Sequence, residues 1–274
     1  VSLVGNGWDN TVFRVNEEWV FRFPRRQLGA DCLESEKAAL PRLAGHLPIT
    51  VPALRWFGQP GDGFPWHFTG AAWIEGRALS SCRLPESQRG NLAEPLAEFL
   101  QALHAVTAEE AREWGVPPDT IERLEPSRRI PQARDYLERA AVMGLVDDAE
   151  AWNPVFNQFL HDAGPPVDAC LLHGDLYARH LLLDDQARPS GVIDWGDTHV
   201  GDRAIDLAAA WLILPPADRV RFRDAYGSVP ATAWSRARFR AVCHAAIVTV
   251  YAAETNELGL QAEAQQALAW VLEE

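Results

Sequence analysis

Between His173 and Asp206 the chain carries His173, Asp175, His180, Asp194, Asp197 and Asp206 within one short stretch. Asp175 lies between two apolar runs, Leu171-Leu172 and Leu181-Leu182-Leu183. A loop held between buried strands can keep a carboxylate rigid against a bound hydroxyl. Such a carboxylate can accept the hydroxyl proton and orient the oxygen for attack. Asp194 comes nineteen residues later (194 − 175) and ends the apolar run Gly191-Val192-Ile193, a good place from which to hold a divalent cation. His173 reads as a hydrogen-bonding histidine that supports the loop. Asp206, at the start of an apolar helix, reads as the loop's anchor. His180 stays open between a partly buried histidine and a ligand. A metal hydrolase built on His173, Asp175, His180 and Asp194 is a rival reading, but the HExxH type of ligand spacing is missing.

A second set of residues lies near the start. Gly5-Asn6-Gly7 precedes an apolar strand, and paired glycines let backbone N–H groups approach phosphate oxygens. An ordinary hairpin turn is the alternative. It is not a Walker loop, because the GK[ST] ending is absent. Arg22 on the following strand and Glu36 on the following helix could form a cation–carboxylate pair that grips phosphates. Glu34 competes as the carboxylate, and Arg25 and Arg26 compete as the cation.

The elements that must position these groups follow from periodicity. Thr11–Val15 and Trp19–Phe23 read as strands, with Asn16-Glu17-Glu18 as the hairpin turn. A helix is expected over 31–43, with Pro41 placed to bend it. Residues 64–74 read as one or two strands broken at Gly70. From about 85 the pattern turns helical, with Asn91 as an N-cap. The Pro-, Arg- and Glu-rich stretch 112–131 reads as a mobile insert. Helices are expected over 133–143 and 149–162, and short strands at 169–172, 181–183 and 191–193. Beyond Arg203 all reads as helix, with breaks at Pro215-Pro216 and near Pro230. The sum is an α+β chain of two lobes, 1–75 rich in strands and 76–274 mostly helical.

Composition narrows the function. A formal net charge of −13 excludes a general nucleic-acid binder, which needs a basic face. The acidity suits a cationic ligand, though many soluble proteins are simply acidic. Cys32, Cys82, Cys170 and Cys243 are scattered without a CxxC, the pattern of reduced thiols in a cytoplasmic protein. No apolar run is long enough to span a membrane, and no signal-peptide pattern is visible. The sequence opens on Val1 with the glycine pair close behind, so a short segment is expected ahead of it.

The run HGDLYARHLLLDD, then GVIDWGD, then GDRAIDLA resembles the signature of aminoglycoside phosphotransferases and their macrolide kinase relatives. The likeness covers nearly the whole chain, is strongest at 171–211 and looser at 5–40. It implies a protein-kinase-like fold, with a small β-rich N-lobe and a larger, mostly helical C-lobe. It implies transfer of the γ-phosphate of ATP or GTP, with Mg²⁺, to a hydroxyl of a small molecule, an aminoglycoside or macrolide antibiotic. Carried over by position, Asp175 is the catalytic carboxylate and Asp194 the main magnesium ligand. His180 stands at a second metal position, where most members have Asn. Gly5, Asn6 and Gly7 cover the phosphates, and Arg22 with Glu36 matches a Lys–Glu pair. The backbone of Ala72, Trp73 and Ile74 holds the purine edge, since Trp73-Ile74-Glu75-Gly76 resembles the interlobe hinge. Arg22 and His180 depart from the majority, yet macrolide kinases resemble this chain at both. The helical segment 205–258 is expected to line the acceptor site. Asp197, Asp218, Glu254 and Glu257, with Asp224, are its candidate partners for ammonium groups. The rivals are a metabolic kinase for a sugar or amino alcohol, and a catalytically silent nucleotide-binding protein of the same fold. A monomer is the simplest assembly.

Overall fold

The computed structural model describes residues 1–7, 9–162 and 169–273; Trp8 and the side chain of Asn6 lie outside the described residues. The first strands are β1 (Ser2–Asn6), β2 (Asn10–Val15) and β3 (Trp19–Pro24), followed by α1 (Gln27–Leu43), β4 (Leu54–Gly58) and β5 (Phe68–Ala72). They form one antiparallel sheet in the order β1-β2-β3-β5-β4. Asn16 and Glu17 take φ of 52° and 61°, the left-handed pair that joins two strands tightly, and the Arg14 guanidinium donates to the Glu17 carbonyl at 2.7 Å. Gly70 does not break its strand, contrary to expectation. β5 runs through it, because a Cβ there would stand 2.6 Å from the Phe21 ring and 2.9 Å from Trp56. The glycine makes room for two aromatic rings on one face of the sheet. β4 was not anticipated. The 31–43 helix begins earlier, at Gln27.

The rest is mostly helical. β6 (Arg77–Ala78), α2 (Leu79–Cys82), α3 (Glu86–Arg89) and α4 (Ala93–His104) lead to α5 (Ala108–Glu113), α6 (Pro126–Val142) and α7 (Asn153–His161). Asn91 sits in a 3₁₀ turn and caps nothing: the residue before α4 is Leu92, with no side-chain cap. The 112–131 segment is pinned, not a loose insert. Arg123 and Arg129 within it are buried, and Arg129 donates to the Glu122 carbonyl at 3.0 Å. Then come β7 (Ala169–Leu172), β8 (Leu181–Leu183), β9 (Pro189–Val192) and β10 (His199–Asp202). β7 pairs with β10, a strand too short and polar to be foreseen, while β8 pairs with β6 and β9. The chain closes with α8 (Ala204–Ile213), α9 (Arg219–Tyr226), α10 (Ala231–Glu254) and α11 (Leu258–Trp270).

Every residue of α8 is buried, so this helix is the hub of the core. Phe99, Leu100 and Leu103 of α4 pack with Leu207 of α8, Phe239 of α10 and Trp195 in a continuous apolar cluster. Each such side chain contributes on the order of 1.5–3 kcal/mol by leaving water. The rigid core therefore lies directly behind the loops that carry Asp175 and Asp194. No helix among the described residues is long and apolar enough to cross a membrane. Cys32, Cys82, Cys170 and Cys243 form no disulfide.

Candidate active site

Two short hairpins deliver the acidic groups. Asp175 follows β7, and Asp194 follows β9. The β7–β8 connection is tied down from three sides. Asp206, at the start of buried α8, accepts the His173 N–H at 2.7 Å and the Gly174 N–H at 2.8 Å. His104 then meets Asp206 at 3.3 Å and the Tyr226 hydroxyl at 2.8 Å. Burial would lift the Asp206 carboxyl, but His104 and the donors on it outweigh burial and hold it below its usual value. Gly174 has φ +86°, and a Cβ there would lie 2.4 Å from the Asp197 carbonyl, so only glycine fits this corner. His173 is fully buried. Its Nδ1 accepts the Asp175 N–H at 3.2 Å, which places the proton on Nε2, and Nε2–H donates to the Ile193 carbonyl at 3.1 Å. Burial keeps this ring neutral. One imidazole thus locks the Asp175 loop to the residue before Asp194.

Asp194 itself has φ 64°, a strained choice for a non-glycine residue that aspartate tolerates. Its Oδ1 accepts from Arg22 Nη2 at 2.6 Å, and Arg22 Nη1 makes a close ion pair with buried Glu36. Arg22 and Glu36 are therefore together. The competitors are engaged elsewhere: Glu34 with Lys37 at 2.9 Å, Arg26 with Asp9 at 2.6 Å, and Arg25 with the Gly7 carbonyl at 2.8 Å. Burial works against the Asp194 charge, but Arg22 overcomes it and holds the carboxyl well below the usual carboxylate range. Burial also opposes the charge on Arg22, and Glu36 with Asp194 outweighs it, so its guanidinium stays charged. Glu36 is lifted by burial to about 7 against the pull of Arg22.

His180 stands between the two acids. Its Nδ1 is 2.7 Å from the Asp175 backbone carbonyl and 3.5 Å from Asp175 Oδ2, while Nε2 is 3.4 Å from Asp194 Oδ2. The ring is buried, which favours its neutral form. A neutral ring that donates from Nδ1 turns a lone pair on Nε2 toward the Asp194 oxygen. Two electron-rich atoms facing each other across 3.4 Å suit a cation between them. No group of three His, Cys, Asp or Glu close enough to cage an ion exists among the described residues.

A cavity of about 340 Å³ opens beside Asp194 and Arg22, lined by Val4, Val12, Ala71, Ala72, Trp73 and Ile74 among others. Val4 and Val12 flank the Gly5-Asn6-Gly7 turn, so the β1–β2 hairpin roofs the cavity. The turn is a hairpin, closed by Gly7 N–H to the Asn10 carbonyl at 3.0 Å. The Trp73 N–H donates to the Glu18 carbonyl at 2.7 Å, so this one of the hinge groups is already engaged within the sheet.

Asp175 is surrounded differently. Burial, and next the charge of Asp197, push its carboxyl up to about 7. On its far side His244 of α10 lies 3.5 Å from Oδ1, with Arg240 Nη2 3.4 Å from the same His244 nitrogen. Asp197 is held in a close pair by Arg123. Sequence reasoning did not single out His244, Arg240 or Arg123. The signal was present in part: Arg236, Arg240 and His244 recur every fourth residue, a polar stripe on a largely buried helix. The expected acceptor acids do not gather at Asp175 apart from Asp197. Asp218 packs against Gly90 and faces Arg221 at 3.9 Å, Glu254 pairs with Arg139 at 2.7 Å, and Glu257 pairs closely with Arg179.

A five-stranded sheet with one helix, a cleft beneath it and two acids on the helical body together form a protein-kinase-like fold. Comparison with known proteins agrees. The model of the phosphotransferase enzyme family matches residues 1–240, and the chain belongs to that family. It is a transferase of the kinase type acting on alcohol groups. A mutant of aminoglycoside 2'-phosphotransferase-IIIa in its GDP complex is similar at a TM-score of 0.70 and 25% identity, over 98% of this chain and 90% of that one. Macrolide 2'-phosphotransferase type I is similar at 0.63 and 25%, over 97% and 90%. Among sequences, an aminoglycoside 3'-phosphotransferase of Streptomyces fradiae is 30% identical over 179 residues, 58% of this chain and 62% of that protein. The uncharacterised protein YcbJ of Bacillus subtilis is 23% identical over 266 residues, 93% of this chain and 81% of its own.

Proposed function

We propose that the chain transfers the γ-phosphate of ATP or GTP to a hydroxyl of a small molecule, and that aminoglycoside and macrolide antibiotics are the acceptor classes its relatives point to. The observation that carries this reading is the convergence of Asp175 and Asp194 on His180, 3.5 and 3.4 Å away, at the edge of the apolar cleft. Asp175 meets the acceptor hydroxyl, aligns its oxygen with the phosphorus and takes its proton as the new bond forms. Its carboxyl, raised to about 7, suits a base working near neutrality. Arg22, fixed by Glu36 and Asp194, presents a rigid cation to the phosphates. Ala72, Trp73 and Ile74 form the apolar wall for the purine, and Gly5, Asn6 and Gly7 lie over the phosphate end. His173 and Asp206 act through the loop, by keeping Asp175 in place. Asp194 and His180 would hold Mg²⁺, which when bound neutralises charge on the transferring phosphate. Most of the barrier is lowered by alignment and charge neutralisation, because phosphoryl transfer asks for little covalent chemistry from the protein.

The test is a coupled turnover assay with MgATP and MgGTP against kanamycin, erythromycin, sugars and amino alcohols. We expect release of nucleoside diphosphate that depends on one acceptor class. Asp175→Asn should lower kcat at least about 10²-fold with an unchanged melting temperature. Turnover by Asp175→Asn close to wild type would remove Asp175 from this role.

A further inference from the structure

The side of Asp175 turned away from the nucleotide cleft is built by α10 and the loop after Asp194. His244 lies 3.5 Å from Asp175 Oδ1, and Arg240, one helical turn earlier, has Nη2 3.4 Å from His244 Nδ1. The acids that could have attracted an ammonium-bearing acceptor are nearly all neutralised. Asp197 has Arg123, Glu254 has Arg139 and Glu257 has Arg179, while Asp218 faces Arg221 at 3.9 Å and shares it with Glu94. Asp224 is exposed on α9, a helix that packs on α4.

The cations on this side are unevenly matched. Arg123 is held by two carboxylates, Asp119 at 2.6 Å and Asp197. Arg129 gives its guanidinium to the carbonyls of Ile121 and Glu122 and to Gln132, and to no carboxylate among the described residues. Arg240 is half-buried, near enough to Arg123, Asp175 and Arg129 for their charges to bear on it, and makes no ion pair within 4.0 Å among the described residues. A guanidinium drawn partly out of water without a partner is costly, and its planar fork of donors is matched best by oxygen.

We propose that Arg240 reads the acceptor. The hydroxyl compound presents an accepting oxygen, neutral or anionic, to Arg240 while its hydroxyl meets Asp175, and a polycation is turned away by Arg240 and Arg129, which no carboxylate contacts among the described residues. This rests on the kinase reading of Asp175 and narrows it: an oxygen-rich acceptor with at most one amine is favoured over a polyamine.

Three probes test it in the full chain with MgATP and MgGTP: kanamycin as polycation, erythromycin as an oxygen-rich monoamine, and glucuronate as an acid-bearing sugar. Wild type should use kanamycin with kcat/KM at least about tenfold below the better of the other two. Arg240→Glu should shift that preference toward kanamycin by about tenfold or more, chiefly through KM, and Arg240→Gln should fall between. Kanamycin as the best wild-type acceptor overturns the proposal, and so does an Arg240→Glu protein that loses all activities in proportion. If no probe is turned over at all, the acceptor lies outside these three compounds, and equilibrium binding of the same probes decides the role of Arg240. A tenfold gain in kanamycin affinity in Arg240→Glu upholds it, and unchanged affinity overturns it. The Arg240→Gln variant has the size of Arg240→Glu without its charge, so a folding defect confined to Arg240→Glu leaves the comparison of Arg240→Gln with wild type intact.

Discussion

Asp194 and Asp175 are near neighbours of one imidazole and live in opposite surroundings. Asp194 sits against Arg22 at 2.6 Å and is held well below the usual carboxylate range. Asp175 is buried beside Asp197 and is pushed up to about 7. The first is a fixed anion at all working pH values, which is what a cation-holding group on the nucleotide side needs. The second can gain and lose a proton near neutrality, which is what a base on the hydroxyl side needs. Two acids of the same type have been driven apart by their neighbours, and that separation supports the proposed division of roles.

The strongest way to break the contrast is to remove the fixed anion. Asp194→Ala should cost about 10³-fold or more in kcat/KM, since charge neutralisation on the phosphate is worth several kcal/mol. Nucleotide affinity should also lose its dependence on Mg²⁺, read by calorimetry with and without the ion. An affinity that responds to Mg²⁺ equally in wild type and Asp194→Ala would show that the cation is held elsewhere. Loss of Asp194 also frees Arg22 from one of its two carboxylates, so the variant's melting temperature should be measured alongside.

Asp206 provides a contrast of another kind, between chemistry and support. Its two oxygens accept the His173 and Gly174 N–H groups in a fully buried place. Asp206→Ala strands both donors together with His104, and hydrogen bonds to a charged group are worth about 1.5–3 kcal/mol each. We expect a destabilisation of about 3 kcal/mol or more in urea denaturation, whereas Asp194→Ala should alter stability far less. Equal destabilisation of the two variants would mean that Asp194 is as much a structural group as Asp206.

Much of the Asp194 side was legible in the sequence. Its residues come in contiguous strings, with the acids placed at the ends of short apolar runs, and strand endings predict where a carboxylate will point. Arg22 and Glu36 were legible as types, though only the fold decided against Glu34, Arg25 and Arg26. The far side of Asp175 was not legible. Arg240 and His244 come from a long helix whose register against the loop depends on how α8 and α11 pack beneath it. Arg123 comes from a Pro-rich segment that local propensity reads as mobile, yet two buried arginines fasten it. β10 was missed because four residues with a histidine and an aspartate carry no strand pattern, and only pairing with β7 makes them one. Local rules found the groups that chemistry needs in order. They missed the groups that tertiary packing supplies from afar.

The finest adjustment of the contrast is to soften the Asp175 environment without touching Asp175. Burial is the larger cause of its raised carboxyl, and the charge of Asp197 is the next. Asp197→Asn removes that charge and releases Arg123 from it, and both changes favour ionised Asp175. A base must be ionised to take a proton, so kcat/KM should rise as pH climbs through the Asp175 value, near 7 in wild type. In Asp197→Asn that limb should move to lower pH by about one unit, raising activity at pH 6 with little change at pH 8. Stability has the matching sign. A folded-state value above the ordinary ~3.9 means that the folded chain holds this proton more tightly than the unfolded one. Its contribution is therefore greatest in acid and is lost as pH rises toward 7, and Asp197→Asn should make that loss smaller. An acid limb that stays in place in Asp197→Asn, with turnover otherwise intact, would show that the ionisation seen in the rate belongs to another group, and Glu36, also near 7, is the one to examine next.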